Sequence, residues 1–381
     1  MIPHKVLNIR CYICTYLALF FIFVFIRLLE YQILQFHTFL FLILSFWSWV
    51  TINKFNMNGL EFIKSKQQNW AKRKGFELVG GTIPNKGEKN YLSDLANNLF
   101  EPLTEENVKS FDSGAGNETK DCKTRLAKMK ALHSSSAIVV NLFQYWQEKD
   151  PCPLLNACRL TSKTDRIDGY MFKNIGSDSP VEIRIPNIEI RFEEQFEICK
   201  DKHLFPRVPN IDVIIYSRYA DIAIESKFLE PYDNRKHKGL KQKYIDDISF
   251  WDGLPNLYEL AKEISPDNNK FRYLDAAQLI KHILGLKKKY SNTPHIAETQ
   301  GIRKLRIAPL HKSFCLLYLW YDVLGKDGFR HREEIEQFAK VAEKDNIRFK
   351  HITYQEVIAK LSRDFYQGNE IYCNYLTDRY L

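Results

Sequence analysis

The sequence predicts an α/β fold, a mixed β-sheet flanked by helices, preceded by a mainly helical N-terminal part. Three observations carry this. Residues 188–198 (IEIRFEEQFEI) alternate apolar and polar, as a half-buried strand does. Two short apolar runs follow, 211–216 (IDVIIY) and 222–229 (IAIESKFL); the short turn 217–221 joins them into a β-meander. Beyond them helical and strand patterns alternate: a helix at 274–286, an apolar strand at 314–323, a helix at 332–342, a strand at 347–353 and a helix at 354–362. Such alternation packs helices against a sheet.

The part before this core, residues 57–148, reads as mainly helical. Gly59–Gly75 opens it, with a basic face around Trp70. Residues 91–100 (YLSDLANNLF) carry helical apolar spacing, 112–121 form a polar loop, and 137–146 (AIVVNLFQYW) are a short helix. Ser134, Ser135 and Ser136 can cap that helix. His133 beside them lacks the acid partner and nucleophile turn of a hydrolytic triad, so capping is the preferred reading. The expected organisation is residues 1–56 as an apolar segment, 57–180 as the helical part and 181–381 as the core.

Residues 11–26 and 31–53 contain no charge, with Arg27 and Glu30 between them. Two readings stand. The stretches can form a transmembrane hairpin with both ends cytoplasmic, given Lys5 and Arg10 on one side and Lys54, Lys64 and Lys66 on the other. Alternatively they are AT-rich upstream DNA translated in error, and the true start is Met57. The first reading places the protein at the inner membrane with a cytoplasmic domain; the second makes it cytoplasmic.

The net charge is +9, and residues 1–56 contribute +3 of it, so the remainder is basic either way. That balance suits a polyanionic partner without identifying one. Of eight cysteines only Cys11 and Cys14 form a CxxC, with no second pair to complete a zinc site. No disulfide framework is indicated.

The chemistry is expected on the meander. Asp212 stands near the start of its second strand, and Glu225-Ser226-Lys227 lies in the third. Residues two apart in a strand share a face, so Glu225 and Lys227 project together while Ile222, Ile224, Ser226 and Phe228 point the other way. The hairpin brings Asp212 alongside Glu225. Carboxylates among valine and isoleucine are costly unless compensated. A divalent cation with oxygen ligands and open water positions, Mg2+ by this chemistry, compensates them. A second acid-x-Lys triplet, Asp121-Cys122-Lys123, lies in a polar loop; only the strand context distinguishes the two.

Pro209-Asn210-Ile211-Asp212-Val213 followed by Ile224-Glu225-Ser226-Lys227-Phe228 resembles motifs II and III of the PD-(D/E)XK nuclease superfamily. The wider run resembles an uncharacterised bacterial restriction-endonuclease-like family within it, through 133–141 (HSSSAIVVN), 209–212, 225–232 (ESKFLEPY), 278–286 (QLIKHILGL) and 353–356 (TYQE). The resemblance covers roughly residues 57–381, and Pro-Asn-Ile-Asp stands where the motif has Pro-Asp. It implies a restriction-endonuclease-like core, Asp212 and Glu225 as Mg2+ ligands, and Lys227 acting on the attacking water. It also implies an acid from an earlier element, Glu193 or Glu194, and a glutamine on the following helix, Gln278. His282, one turn after Gln278, reads as a phosphate contact or a satisfied helix-face histidine rather than a ligand.

Asn234–Tyr244 (NRKHKGLKQKY) supplies Arg235, Lys236, Lys238, Lys241 and Lys243 as candidate nucleic-acid contacts, and Lys287–Lys289 follow later. Phosphate contacts of this kind give affinity without sequence choice. The expectation is therefore a Mg2+-dependent DNA endonuclease of restriction or defence, with a homodimer as a candidate assembly. Its rivals are a silent nucleic-acid-binding protein of the same fold and a membrane-anchored interaction protein.

Overall fold

The computed structural model describes residues 58–83, 86–113, 118–161, 188–206, 208–217, 220–291 and 313–381, and the strands at 170–173 and 181–184 by backbone alone. They belong to one compact unit, Asn58–Leu381. The two uncharged N-terminal stretches, and the choice between a membrane hairpin and a later start, lie outside the described residues. Among the described residues no helix is long and apolar enough to cross a membrane.

Helix α1 (Gly59–Arg73) starts where the Asn58 side chain accepts the amide of Glu61, and ends on Lys72 and Arg73, whose charge suits a helix C-terminus. Next comes a hairpin the sequence reading missed, β1 (Leu78–Thr82) against β2 (Lys86–Leu92), antiparallel with irregular register. Gly80 and Gly81 permit it. A Cβ at the first would collide with the Lys86 carbonyl, and at the second with the Tyr91 ring. The expected helix at 91–100 is instead the end of β2 and a single 3-10 turn, Ala96–Asn98. Its apolar residues Leu92 and Leu99 are buried all the same. The spacing reports burial rather than a helical period.

Helix α2 (Glu105–Asp112) is capped by Thr104. Helix α3 (Ser135–Phe143) begins where Ser134 Oγ accepts the Ala137 amide at 3.2 Å, so capping is what the serine run does. Helix α4 (Cys152–Ala157) and the pair β3 (Tyr170–Lys173) and β4 (Val181–Arg184) precede the main sheet.

That sheet has five strands: β5 (Glu189–Gln195), β6 (Asn210–Tyr216), β7 (Ala220–Lys227), β8 (Ser313–Trp320) and β9 (Phe349–Thr353), in sequence order across the sheet. β5, β6 and β7 run antiparallel, while β7, β8 and β9 are parallel. Parallel neighbours need crossovers. The first holds α5 (Gln242–Asp246), α6 (Pro255–Glu263) and α7 (Ala276–Ser291), and the second holds α8 (Lys326–Lys344). α9 (Tyr354–Asp364) and α10 (Glu370–Tyr380) complete the unit.

Period-two alternation sorts the strand residues into two cores. Val213, Ile215, Ile222, Ile224, Leu317 and Leu319 pack with α3, α4, α9 and α10. Ile214, Ala223, Leu316, Tyr318 and Trp320 pack with α6, α7 and α8. The mixed sheet flanked by helices is therefore as the sequence predicts. Ser226 is the polar exception on the first face, and its hydroxyl meets Tyr354 Oη at 2.6 Å.

Two buried polar groups brace this frame. Arg379 is 1% exposed, with no carboxylate partner among the described residues. Its guanidinium donates to the Asn98 carbonyl (2.7 Å), Asn98 Oδ1 (2.5 Å), Gln67 Oε1 (3.2 Å) and Tyr375 Oη (2.7 Å), and lies 4.2 Å over the Trp70 ring. On the other face His331 stands between Tyr318 Oη (3.0 Å) and Tyr232 Oη (3.2 Å), and Tyr232 donates to the Tyr321 carbonyl. That chain fixes a neutral ring: Nδ1–H donates to Tyr232, and Nε2 accepts from Tyr318.

Replacing Arg379 by Ala strands several buried acceptors and leaves a void; we expect a loss of about 3 kcal/mol or more in urea denaturation. Burial, reinforced by the charges of His237, Arg332 and Lys227, lowers the pKa of His331 to about 3, and burial with Lys64 lowers that of His133 to about 4. The unfolded rings titrate near 6.5, above these folded values. Both therefore contribute stability that is fully present above about pH 6.5 and is lost as pH falls toward about 4 and 3. Urea midpoints should drop across this range, and His331→Gln should shallow the slope by close to one proton.

Candidate active site at the splayed end of a hairpin

β6 and β7 pair at Ile215–Ile222, Ile214–Ala223 and Val213–Ile224, and there the ladder stops. The next two residues are Asp212 and Glu225. Instead of continuing strand to strand, the Ser226 amide donates to Asp212 Oδ2 at 2.7 Å. The side chain of Asp212 replaces a backbone acceptor, which holds the hairpin open and fixes the carboxylate between the strands.

Glu225 is fully buried on the face that carries α7. Its Oε1 accepts from Lys227 Nζ at 2.5 Å, and Lys227 also donates to Gln278 Oε1 at 3.0 Å. The structure therefore brings Asp212, Glu225, Lys227 and Gln278 together. Gln278 is positioned by the start of α7, where Asp275 accepts its backbone amide at 2.9 Å.

Glu193 is the acid from the earlier strand that shares the site. It is one of three non-glycine residues with positive φ (56°) among the described residues, and it interrupts the ladder between Phe192–Val213 and Glu194–Ile211. Such a conformation costs free energy and tends to occur at functional positions. Glu193 accepts from Asn210 Nδ2 at 3.1 Å, whereas Glu194 is engaged by Arg191 and Tyr216. Strand alternation alone left this choice open; in the strand register Glu193 stands opposite Asp212.

The electrostatics are those of crowded acids. Burial and the charge of Glu225 push the Asp212 carboxyl well above its usual range, although it keeps partial solvent access. Burial raises Glu193 to about 7, with further help from Glu118 and Glu225. Glu225 is held below the usual range: burial opposes its charge, but Lys227 and His282 outweigh burial. Burial likewise opposes the Lys227 ammonium, yet Glu225 and Asp212 raise its pKa. Lys227 is therefore a fixed cation and cannot accept a proton at neutral pH.

His282 is the residue the sequence reading undervalued. It is 1% exposed, faces the site one helical turn after Gln278, and its Nε2 stands 2.8 Å from Glu225 Oε2. Nε2 and Glu225 Oε2 are each other's partners there, which leaves Nδ1 as the ring nitrogen without one. Buried on α7 and set against Glu225, it is no exposed phosphate contact. The i, i+4 spacing from Gln278 was its only signal in the sequence.

Among the described residues no three His, Cys, Asp or Glu side chains converge tightly enough to form a ready metal cluster. The donor set nevertheless fits a divalent cation. Asp212, Glu193 and Glu225 are the oxygen donors such a cation takes, and the raised pKa values of Asp212 and Glu193 are shifts that a nearby cation would reverse.

The basic run is only partly available. Lys236, Lys238 and Lys241 are exposed. Arg235 is exposed but paired with Asp233, and Lys243 lies 4.3 Å over the Phe205 ring. The run is tied to the entry of α7: Arg272 donates to the carbonyls of Asp233 and Arg235, and His237 stands 3.6 Å from Asp275. Lys287 to Lys289 occupy the opposite end of α7. There Lys287 donates to the Asp252 carbonyl and Lys289 lies 4.5 Å over the Tyr216 ring.

Comparison with curated proteins and with solved structures found no match. Comparison with family models did: residues 64–381 match the family described as Restriction Endonuclease associating with ARP, REase-ARP. The match takes in the five-stranded sheet and every residue of the site, and the chain belongs to this restriction-endonuclease-associated family.

Proposed function

We propose that the protein is a metal-dependent endonuclease of the PD-(D/E)XK type, cutting DNA in a restriction or defence role. One observation carries this reading. Asp212 and Glu225 meet at the open end of a hairpin, with Lys227 bonded to Glu225 and to Gln278. Membership of a restriction-endonuclease-associated family supports the biological role.

Hydrolysis forms a bond from a water oxygen to phosphorus and breaks the bond from phosphorus to a sugar oxygen. The water gives up a proton and the departing oxygen gains one. A bound divalent cation, Mg2+ in the simplest case, supplies positive charge for the phosphate oxygens and makes a water more acidic. Asp212 and Glu225 would hold it. Lys227, locked as a cation, donates hydrogen bonds to the attacking water or to a phosphate oxygen as negative charge grows there. It does not serve as the base. Gln278 fixes the Lys227 ammonium, and its second contact limits the rotamers Lys227 can adopt. Lys236 and Lys238, on the loop tied to the entry of α7, suit contact with the phosphates flanking the cut.

The test is incubation of the full chain with plasmid DNA and Mg2+ or Mn2+, beside Asp212→Ala and Lys227→Ala. Nicking by the intact chain should fall by roughly 100-fold or more in each variant. Nicking that survives both substitutions would refute the site. Binding without cleavage by the intact chain would favour a silent nucleic-acid-binding protein instead. Because the Glu193 carboxyl is raised to about 7 and Asp212 is shifted in the same direction, a cation competes with protons there, and Mg2+ affinity should rise with pH through about 7. Titration calorimetry in buffers of different ionisation enthalpy should register proton release on binding at pH 6.5 and less at pH 8.

A further inference from the structure

Residues 321–330 turn the chain from β8 into α8 and carry two large apolar side chains into solvent. Leu324 is 54% exposed and Phe329 57%. The turn itself is fixed. The Tyr321 amide donates to the Lys227 carbonyl at 2.9 Å, and Gln355 accepts the Asp322 amide at 3.1 Å while donating to the Asp322 carbonyl at 2.8 Å. Gly328 lets the first turn of α8 close onto this loop, since a Cβ there would stand 1.9 Å from the Val323 carbonyl oxygen. A lone exposed apolar residue is ordinary. Here two share one rigid turn with Lys326 and Arg330, both exposed and without an ion pair among the described residues. The acids of the turn are spent: Asp322 accepts from Arg332, and Asp327 accepts from the Gly59 amide and from Tyr273. Glu333, one turn further along α8, is exposed.

Position ties the turn to the site. Lys227 pairs with Trp320 in parallel register, so Leu324 follows four residues after the partner of Lys227. α8 packs through Ile335, Phe338 and Ala342 on the face of the sheet that also carries α7. The turn is continuous with the loop of Lys236 and Lys238 as well. Arg272 donates to the carbonyls of Asp233 and Arg235, and Tyr273 beside it donates to Asp327 Oδ1 at 2.8 Å. We propose that this turn is a second nucleic-acid contact, in which Leu324 and Phe329 enter an opened base step of a DNA duplex while Lys326 and Arg330 hold the phosphates beside it. The inference rests on the DNA reading of the site and adds a feature of the substrate, a step that unstacks. Leucine and phenylalanine are side chains that wedge between bases, and flanking cations supply affinity for the backbone. Rigidity serves that role, because a fixed wedge has little freedom left to lose on entering the stack. The cations also favour a polyanion over an apolar protein surface, which would strip their water without returning a partner.

The experiment measures binding of the full chain, in EDTA so that cutting does not intervene, to two labelled duplexes of one sequence. One is fully paired and the other carries a single-base bulge. The bulge has already lost stacking, so less unstacking is left for a wedge to perform. The intact chain should bind the bulged duplex about tenfold or more tightly, and Leu324→Ser combined with Phe329→Ser should remove that preference. Lys326→Gln combined with Arg330→Gln should keep the preference and lower the slope of log affinity against log salt by about two. Equal affinity of the intact chain for the two duplexes, or binding to neither, would overturn the inference whether or not any variant folds. A preference that survives the double serine substitution would do the same. So would a changed sedimentation coefficient in the serine variant with DNA affinity unaltered, which marks the turn as a contact between copies of this chain. In each of these cases plasmid nicking by the intact chain leaves the nuclease reading standing; with neither binding nor nicking, both fail.

Discussion

The hydrogen bond from the Ser226 amide to Asp212 Oδ2 is the constraint on which the site depends. Regular pairing would have given that amide a backbone acceptor on β6 and closed the hairpin. With a carboxylate in that place, the strands part while the amide stays satisfied, and polar side chains gather at the end of an otherwise apolar ladder. Ser226 is bound from both sides of the sheet, since its hydroxyl meets Tyr354 on the opposite face. The residue between Glu225 and Lys227 is therefore an anchor. It ties the site to α9 in the layer that carries no chemistry.

Much of this was legible in the sequence, because alternation is a strong signal where one face is apolar. The shared face of Glu225 and Lys227, the opposite face of Ile222, Ile224 and Ser226, and the strand that carries Asp212 all follow from period two. Gln278 at a helix start followed from apolar spacing and from the resemblance. What failed did so for physical reasons. The hairpin of β1 and β2 is short and mostly exposed, and glycines at Gly80 and Gly81 erase its alternation. The segment 91–100 buries residues at irregular intervals that happen to match a helical period. His282 was undervalued because a single histidine on a helix face says nothing of what that face meets. The lysine run could not be sorted by sequence either: Lys243 packs on Phe205, a contact made across 38 residues of chain.

The two cores divide the labour of the sheet. On the side of α3, α9 and α10 the packing is dense in aromatic residues, among them Phe228, Tyr321, Tyr372 and Tyr380. On the side of α7 and α8 the same strands expose Glu225 and Lys227 to a buried polar cluster. Uncompensated, the acids at that cluster disfavour the fold. Glutamate side chains elsewhere show the compensated alternative. Glu334 accepts three successive backbone amides from Arg272, Tyr273 and Leu274, and so fixes the approach to α7.

The contacts of Arg379 carry a kinetic consequence. Gln67 and Arg379 are 312 residues apart in sequence, and α1 and α10 meet through them. Closing so long a loop costs entropy that no local contact returns, and topologies rich in such pairings reach the native state slowly. Until that closure, Trp70 and the carbonyl of Asn98 lack their cationic partner and the aromatic core beneath α10 stays open to solvent. During that interval the surface of the chain is adhesive, and a slow approach to the native state would lengthen its exposure to chaperones and to aggregation alike.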